Sequence, residues 1–261
     1  MNWLMFLILL AGSSIVVAQE RDQTSVLAGT VLPVTLTKTL HSAGAKPGDI
    51  VIAKVAQDVP LASRQVIRAG SKVTGHVVKV FQDRHQLPAK IALVFDSVEV
   101  SGKKVPIVTD LRALAGFVEV EQAQIPAFGP DRGTPADAWT TVQIGGDVVY
   151  RGGGPVAHGT ETVGKPVSGG VLSKVSAHPG MNCRGATEGD SREQALWVFS
   201  SDACGVYGFD DVEIVHAGRT EPIGEMVLTS KKGSLTLAGG TGMLLRVNES
   251  LSDRTSANVN H

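Results

Sequence analysis

The sequence has little of several residue types, and each shortage excludes a class of protein. Its 261 residues include 24 Lys and Arg against 25 Asp and Glu, so it lacks the positive charge that binding to nucleic acid or anionic lipid requires. Gly and Pro are too few, and have no period of three, for a disordered or collagen-like chain. Aromatic residues are 5% of the chain, which argues against a carbohydrate site with aromatic platforms. After residue 18, no apolar run approaches the length of about 20 residues that a spanning helix needs.

An apolar run at the N-terminus has the pattern of a signal peptide. Residues 3–10 are continuously apolar, and the small residues Val16 and Ala18 precede Gln19 in the arrangement of a cleavage site. We predict a signal peptide over residues 1–18 and an extracytoplasmic mature chain that is periplasmic, envelope-associated or secreted. No transmembrane helix is expected after cleavage. The alternative is that the segment stays attached as an N-terminal anchor.

The two cysteines fit that compartment. Cys183 and Cys204 are an even pair in a chain predicted to be exported, and such a pair is typically a disulfide. Closing this loop stabilises a fold by about 3 kcal/mol in the chain-entropy model. We therefore predict a Cys183–Cys204 disulfide.

Hydrophobic alternation and β-branched residues predict an all-β fold, either a barrel or a sandwich. The predicted strands cover residues 31–36, 50–55, 73–80, 91–100, 105–109, 139–144, 148–150, 196–200, 212–216, 226–230, 235–238 and 243–247. Short helical turns are expected at residues 110–116 and 191–196. Residues 151–180 are rich in Gly and poor in apolar periodicity, so we expect a long excursion there without a helix or a long strand.

The distribution of Pro and Gly divides the chain into modules. A barrel-like module is predicted at residues 26–123, followed by a Pro- and Gly-rich linker at 124–138. A Gly-rich, Cys-containing β extension follows at 139–247. The polar residues 248–261 are predicted to be a flexible tail.

Motifs for nucleotide chemistry are incomplete. Residues 159–166 approach a phosphate-binding loop, but Pro166 stands where Ser or Thr would bind magnesium, and no helix pattern follows. The glycines at 145–146 and 152–154 lack the strand-to-helix context of a dinucleotide fingerprint. We therefore predict no nucleotide and no other cofactor.

Several side chains are suited to zinc, although their spacing is not. Residues of the right type are His158, His178, Cys183, Cys204 and His216. Zinc sites usually contain close ligand pairs, such as C-x2-C or H-x3-H, which cost little loop entropy. The nearest pair here, His178 and Cys183, has four residues between its members, and two of these are Pro179 and Gly180. We expect no metal site, and His178 and His216 are the remaining candidate ligands.

Residues for hydrolytic chemistry are present without the motif that would position them. Ser200, Ser201, Asp202 and His216 supply the types of a catalytic triad, but the chain has no G-x-S-x-G turn. The acids at residues 210–213 are interpreted as solvated loop residues. No catalytic residue is assigned.

Four aromatic residues lie close together around Cys204. Trp197, Phe199, Tyr207 and Phe209 are candidates for a protein interface, because aromatic anchors are enriched there. The alternative is that they pack in a core around the predicted disulfide.

The first half of the chain carries three turn-and-strand motifs in a characteristic order. They are Leu-Ala-Gly-Thr-Val-Leu-Pro-Val at 27–34, Lys-Pro-Gly-Asp at 46–49 before the strand at 51–59, and Ile-Arg-Ala-Gly-Ser-Lys-Val-Thr-Gly at 67–75. With these motifs, residues 26–115 resemble the extracytoplasmic β-barrel domain of the TrbI-like scaffold family of conjugation and type IV secretion machines. The resemblance implies a barrel-like domain that pairs with copies or partners in the envelope.

The chain departs from that family at its N-terminus and in its second half. A predicted signal peptide stands in place of the family's cytoplasmic segment, transmembrane helix and Pro-rich spacer, and the apolar helical pair is missing. Residues 139–209 resemble uncharacterised exported bacterial proteins.

These observations predict an exported, non-enzymatic envelope protein that acts as a binding or scaffold module. Its partners would be envelope proteins or further copies of itself, contacted through edge strands or docked faces. The alternative is an extracytoplasmic hydrolase or metal-dependent enzyme built on the region between Cys183 and His216.

Overall fold

The computed structural model describes residues 25–62, 64–83, 86–127, 139–179, 183, 187–215 and 224–249. The predicted signal peptide, residues 128–138 of the predicted linker, His216 and the predicted tail from residue 250 lie outside the described residues. The chain is 52% strand and 3% helix, so the predicted all-β class is confirmed.

Twenty strands and one short helix follow one another along the described chain. In chain order they are β1 (Val31–Leu36), β2 (Leu40–His41), β3 (Ile50–Val55), β4 (Val59–Pro60), β5 (Val66–Ile67), β6 (Lys72–Asp83), β7 (Gln86–Val100), β8 (Lys103–Pro106), β9 (Thr109–Ala115), α1 (Phe117–Gln122), β10 (Thr140–Val142), β11 (Val148–Tyr150), β12 (Val156–His158), β13 (Glu161–Val167), β14 (Gly170–Val175), β15 (Asp190–Ala195), β16 (Gly205–Tyr207), β17 (Val212–Ile214), β18 (Met226–Ser230), β19 (Thr236–Leu237) and β20 (Gly242–Val247). Within the described ranges, no helix has the length and apolar character that a bilayer crossing requires.

The first sheet is a nearly closed barrel. Its described strands run in the order β16, β9, β20, β1, β3, β6, β7, β18 and β17, and β8 pairs with β7 alongside this path. The end strands β16 and β17 contact each other, which brings the two edges together. Closure of this kind leaves little free strand edge on the barrel.

Burial along the strands shows what each face of the barrel contacts. In β3 buried and more exposed residues alternate, as expected when one face meets the core and the other meets solvent. All seven residues of β9 are buried, although its sequence also alternates in size and polarity. Both faces of β9 must therefore be covered, and the cover comes from the second sheet.

The second sheet is an antiparallel meander of six described strands, β10 to β15 in chain order. Its inner face contributes valines such as Val149, Val163 and Val171 to a second hydrophobic core. The barrel completes that core from its outer surface, with Val31, Ala113, Ala115 and Leu244. The second sheet thus has a core only because it lies on β1, β9 and β20.

Residues 151–180 were expected to be a long excursion without a helix or a long strand, and this prediction is wrong, because the segment belongs to the second sheet. It forms β12, β13 and β14, joined by tight hairpins in which Gly159 and Gly169 have positive φ angles of 58° and 77°. Each strand needs only one or two valines for its buried face, so the apolar signal is weak. Gly164 lies within β13 because a Cβ there would come within 2.1 Å of the Leu172 carbonyl oxygen.

Three shorter predictions are also wrong. The expected helical turns at 110–116 and 191–196 are mostly strand, namely β9 and β15. The expected strand at 196–200 is instead a series of turns with one parallel bridge, from Phe199 to Ile144. Trp197 has a φ of 54° there, which is incompatible with a continuous strand.

Four of the five described strands from Gly205 onward belong to the first sheet, and the fifth, β19, pairs with β2 in a separate two-stranded sheet. β16, β17, β18 and β20 all pair with barrel strands or with each other, whereas the sequence analysis placed them in the second module. The second sheet is therefore an insertion between β9 and β16 that returns the chain to the barrel.

Candidate functional site

A cluster of one histidine and two aspartates lies at the rim of the second sheet. Asp147 comes from the turn between β10 and β11, His158 ends β12, and Asp202 lies in the loop before β16. One potential ligand atom of each residue lies within 4.8 Å of the others. Three separate segments of the chain therefore converge on one point.

Two backbone hydrogen bonds hold the β10–β11 turn against the Asp202 loop. The Ile144 N–H donates to the Val198 carbonyl at 2.8 Å, and the Ser200 N–H donates to the Ile144 carbonyl at 2.9 Å. The turn passes so close that a Cβ at Gly145 would lie 2.0 Å from Ser200 Oγ. Gly145 also has a φ of 108°, which favours glycine, so this residue permits the close approach.

Asp147 is fully buried and has all its carboxylate oxygens occupied. Oδ2 accepts the Ser201 N–H at 2.7 Å, and Oδ1 accepts the Ser201 hydroxyl at 3.3 Å. His158 Nδ1 lies 2.8 Å from the same Oδ1. Because a carboxylate only accepts hydrogen bonds, this contact places the hydrogen of His158 on Nδ1.

The second ring nitrogen of His158 faces Asp202. Nε2 lies 4.0 Å from Asp202 Oδ2, a distance too long for a direct hydrogen bond. The hydrogen bond to Asp147 raises the pKa of His158, burial opposes that rise, and the carboxylates of Asp202, Asp147 and Glu161 add to it. The side chain is 48% exposed, so ions and water can reach Nε2.

The neighbouring serines bind carboxylates rather than the imidazole. The Ser200 hydroxyl donates to Asp202 Oδ1 at 2.7 Å, and the Ser201 hydroxyl points to Asp147. A serine nucleophile would instead need its hydroxyl on His158 Nε2. The geometry therefore suits proton exchange or cation binding at Nε2 better than attack by serine.

The structure removes some of the candidate zinc ligands named from the sequence and keeps another. Cys183 and Cys204 form the predicted disulfide, with their Cα atoms 5.5 Å apart, so neither offers a thiolate to a metal. His178 is exposed and its backbone N–H bonds to Ser176 Oγ, while His216 is outside the described residues. Of the residues considered for zinc, His158 is the one placed beside two carboxylates.

The other candidate acids have partners in the first sheet. Asp211 accepts the Ser230 hydroxyl at 2.8 Å, and Glu213 lies 2.7 Å from Lys231. These contacts are those of surface acids beside β17 and β18.

A buried arginine fixes the junction between the sheets. In the pairing of β9 with β20 the register shifts at Arg112, which is the extra residue of a β-bulge. Its guanidinium donates to the carbonyls of Ala203 and Ser176 and to the Thr187 hydroxyl, at 2.9 to 3.0 Å. Burial lowers the pKa of Arg112 to about 10, so it stays charged at neutral pH.

Arg112 and the disulfide hold the same loop. Ser176, Cys183 and Thr187 all lie in the connection between β14 and β15, and Cys204 directly precedes the barrel strand β16. A covalent bond and a three-donor side chain thus attach the second sheet to the barrel at one place.

The four predicted interface aromatics lie at this junction. Trp197 and Phe199 are buried in the second core, and Tyr207 and Phe209 are partly buried against the second and the first core, respectively. The Tyr207 hydroxyl accepts the Cys204 N–H at 3.2 Å. An interface role for the four is not tested by these contacts and stays a prediction.

A separate exposed surface lies on the outer face of β10 and β11. Thr141 in β10 and Val149 in β11 are paired with each other and face the core. Their neighbours along each strand therefore point outward. Val142 and Tyr150 on that outer face are 40% and 43% exposed. We call Val142 and Tyr150 the outer patch.

Sequence reasoning missed Asp147, and it placed Asp202 and His158 in different hypotheses. Asp147 reads as a turn residue after two glycines, and nothing local marks it as buried. The one usable signal was the abundance of hydroxyls around Asp202, which identified an acid with hydrogen-bond donors but not its histidine.

The comparisons with known proteins assign no family. A scan of protein-family models finds none that matches this chain, and a search of curated proteins finds no match.

Proposed function

We propose that this chain is a non-enzymatic binding or scaffold protein of the cell envelope that works outside the cytoplasm. The disulfide is compatible with an oxidising compartment. The nearly closed barrel is compatible with the resemblance to the TrbI-like scaffold domain, and we include that kinship in the proposal. The predicted signal peptide would bring the chain to this location.

The outer patch is the observation that carries the proposal. Exposed aromatic and β-branched side chains at one edge of a sheet are the composition of a protein-binding surface. The patch lies on β10 and β11, and β10 is an edge strand of the second sheet among the described strands. It therefore combines apolar contact area with a strand edge.

The backbone of β10 also favours a strand-like partner. The N–H of Arg151 donates to the carbonyl of Trp139, and the N–H of Gln143 donates to that of Asp147, so odd-numbered residues of this segment face β11. The backbone groups of Thr140 and Val142 then point away from the sheet. The Thr140 carbonyl accepts the Ala127 N–H at 2.9 Å, so a partner would pair with the remaining outward backbone groups of β10.

From these contacts we commit to one occupant, an extended segment of another envelope protein. Backbone pairing with β10 would supply affinity, and the outer patch would select the side chains. The rigid attachment through Arg112 and the disulfide keeps this surface fixed relative to the barrel, which reduces the ordering cost of binding.

Site-specific photo-crosslinking in the native host tests the proposal. A photoreactive amino acid replaces Tyr150 in the full chain, and in a control chain it replaces Ile50, an exposed apolar residue of the barrel strand β3. We expect one defined envelope protein to crosslink at Tyr150, and not at Ile50. Val142→Lys should abolish that product, whereas Lys79→Glu in the barrel should leave it unchanged.

Two results would contradict the proposal. One is the same set of products from both positions, which indicates random proximity. The other is no product at Tyr150 from protein that is present, oxidised and folded. If crosslinks formed only between copies of the chain, the partner at this surface would be a second copy and not another envelope protein.

One observation favours a second candidate, an extracytoplasmic metal-dependent hydrolase. Asp202 lies in the region that the sequence analysis assigned to this alternative, and it faces His158 Nε2. A hydrolase would show zinc- or manganese-dependent turnover of ester, phosphoester or peptide substrates. Loss of that turnover in Asp202→Asn would support this candidate, and no turnover with any metal would remove it.

A further inference from the structure

In the Asp147–His158–Asp202 cluster, one carboxylate is placed to orient the histidine and the other is placed to bind a metal with it. Both oxygens of Asp147 are engaged, Oδ1 by His158 Nδ1 and Oδ2 by the Ser201 N–H. Asp147 is therefore placed to orient the imidazole rather than to bind a metal itself. A carboxylate behind the imidazole is the usual outer partner of a metal-bound histidine.

Asp202 and His158 present ligand atoms toward each other. Asp202 keeps Oδ2 on the His158 side while Ser200 holds its Oδ1 at 2.7 Å. Two ligands that each lie about 2.1 Å from one ion are separated by about 3.0 Å in octahedral and about 3.4 Å in tetrahedral geometry. The Asp202 side chain would have to move Oδ2 toward Nε2 from the observed 4.0 Å to reach such a separation.

Glu161 supplies a third ligand from the same side. It is the direct cross-strand partner of His158 across the turn formed by Gly159 and Thr160, so both side chains lie on one face of the sheet. Its carboxylate is exposed and close enough to act on the charge of His158. The flexible side chain can therefore approach an ion held by His158 and Asp202.

We propose that His158 Nε2, Asp202 Oδ2 and the Glu161 carboxylate bind one divalent transition-metal ion such as Zn²⁺. One imidazole and two carboxylates suit zinc and its neighbours in the first transition series, whereas calcium and magnesium prefer oxygen ligands throughout. Water completes the coordination, because the imidazole lies at the surface. This inference goes beyond the binding function and does not depend on it.

The ion would connect parts of the second sheet that are otherwise linked through Asp147. His158 and Glu161 flank one hairpin, and Asp202 lies on the loop that leads back to the barrel. Metal binding would therefore brace the sheet close to the outer patch. Binding and bracing are measurable without knowing any partner.

Zinc binding to the oxidised mature chain tests the site, with isothermal titration calorimetry as the readout. We expect one equivalent of Zn²⁺ for the wild type and no specific binding for His158→Gln. Asp202→Asn should weaken binding at least 10-fold. Asp147→Asn, which alters an orienting group, should weaken it by about 10- to 100-fold.

His76 provides a matched control in the barrel. His76 Nδ1 also lies 3.1 Å from a carboxylate, that of Asp96, and the ring is similarly exposed. His76→Gln should leave zinc binding unchanged. Equal losses in His76→Gln and His158→Gln would show that the zinc binds surface histidines without a built site, and would overturn the proposal.

X-ray absorption at the zinc edge covers the case in which a variant fails to fold. Wild-type protein with one equivalent of zinc should show a single imidazole among oxygen ligands and no sulfur. Two or more imidazoles, a sulfur shell, or no specific binding by the wild type would each contradict the assignment.

Discussion

The two sheets of this protein differ in how their strands pair and in how each obtains a hydrophobic core. The barrel joins strands from both ends of the described chain, since β1 pairs with β20 and β9 pairs with β16. The second sheet joins each strand to the next one in sequence. The barrel encloses its own core, whereas the second sheet depends on Val31, Ala113, Ala115 and Leu244 from the barrel surface.

This difference in pairing indicates that the barrel supplies the stability of the fold, whereas the second sheet displays the exposed residues. A closed sheet with long-range pairings is costly to form and stable once formed, because few of its strands have free edges. A meander with local pairings forms easily but needs a surface to pack on. In this chain the barrel provides that surface, and the second sheet presents the outer patch and the histidine cluster.

Matched phenylalanine substitutions should give the largest effects and separate the two sheets. Phe95 is buried in the barrel core and Phe199 in the second core, and replacing either with Ala should cost about 3–5 kcal/mol of unfolding free energy. Phe95→Ala should weaken hydrogen-exchange protection in both sheets. Phe199→Ala should weaken it mainly in β10–β15.

The asymmetry is the informative part of that experiment. If Phe95→Ala reduced protection in the barrel and left the second sheet unchanged, the second sheet would be independent. That result would contradict the dependence inferred from its shared core.

Replacing Arg112 with Met should have the next largest effect. The variant keeps a long apolar stem but leaves the buried Ala203 carbonyl, the partly buried Ser176 carbonyl and the Thr187 hydroxyl without their donor, which should cost about 3 kcal/mol. Chemical denaturation measures this loss. Arg68→Met, at an exposed ion pair in the barrel, should change stability by less than about 0.5 kcal/mol. Equal effects would show that the Arg112 network does not hold the junction.

Removing the disulfide should destabilise the junction by a similar or slightly smaller amount. The Cys183→Ser, Cys204→Ser double variant releases a loop with a sequence separation of 21, which is worth about 3 kcal/mol when engineering strain is absent. Protection should fall first in the connection between β14 and β15. A reductant should lower the melting temperature of the wild type and leave that of the double variant unchanged.

The smallest effect should be the acid sensitivity of one barrel loop. The Ala69 N–H, followed by Arg68, lowers the pKa of Asp58, so its folded-state pKa lies below its unfolded value. Asp58 therefore adds stability above about pH 4 that is lost as pH falls through its folded-state pKa. Because the group is largely exposed, Asp58→Asn should remove only about 0.5 kcal/mol at neutral pH. No change in the acid limb of a stability profile would contradict this assignment.

Much of the barrel is predictable from sequence because its strands have an alternating apolar face. The predicted bounds of β1, β3 and β18 coincide with those observed. In the second sheet the β10–β11 hairpin is predicted in the same way. Strands β12 to β15 are not, since they need few valines and use glycine for close contacts as well as turns. The pairing of β16 with β9 also leaves no local trace, because it depends on closure of the barrel.

The candidate site is still less accessible to sequence reasoning. His158 and Asp202 are residue types that often bind metals or transfer protons. Their proximity, however, depends on the Ile144–Phe199 bridge and on the glycine turn that carries Asp147. The disulfide was predictable because two cysteines allow only one pairing. A three-residue cluster drawn from many acids and histidines allows too many.

The native mass of the protein, extracted gently from its own envelope fraction, tests the central proposal most directly. Wild type and the outer-patch variant Val142→Lys are compared, with circular dichroism to confirm that both are folded. The account predicts that the wild type migrates in a defined assembly with another envelope protein and that the variant migrates as a monomer. A wild type that is monomeric and without companions would contradict the proposed binding function.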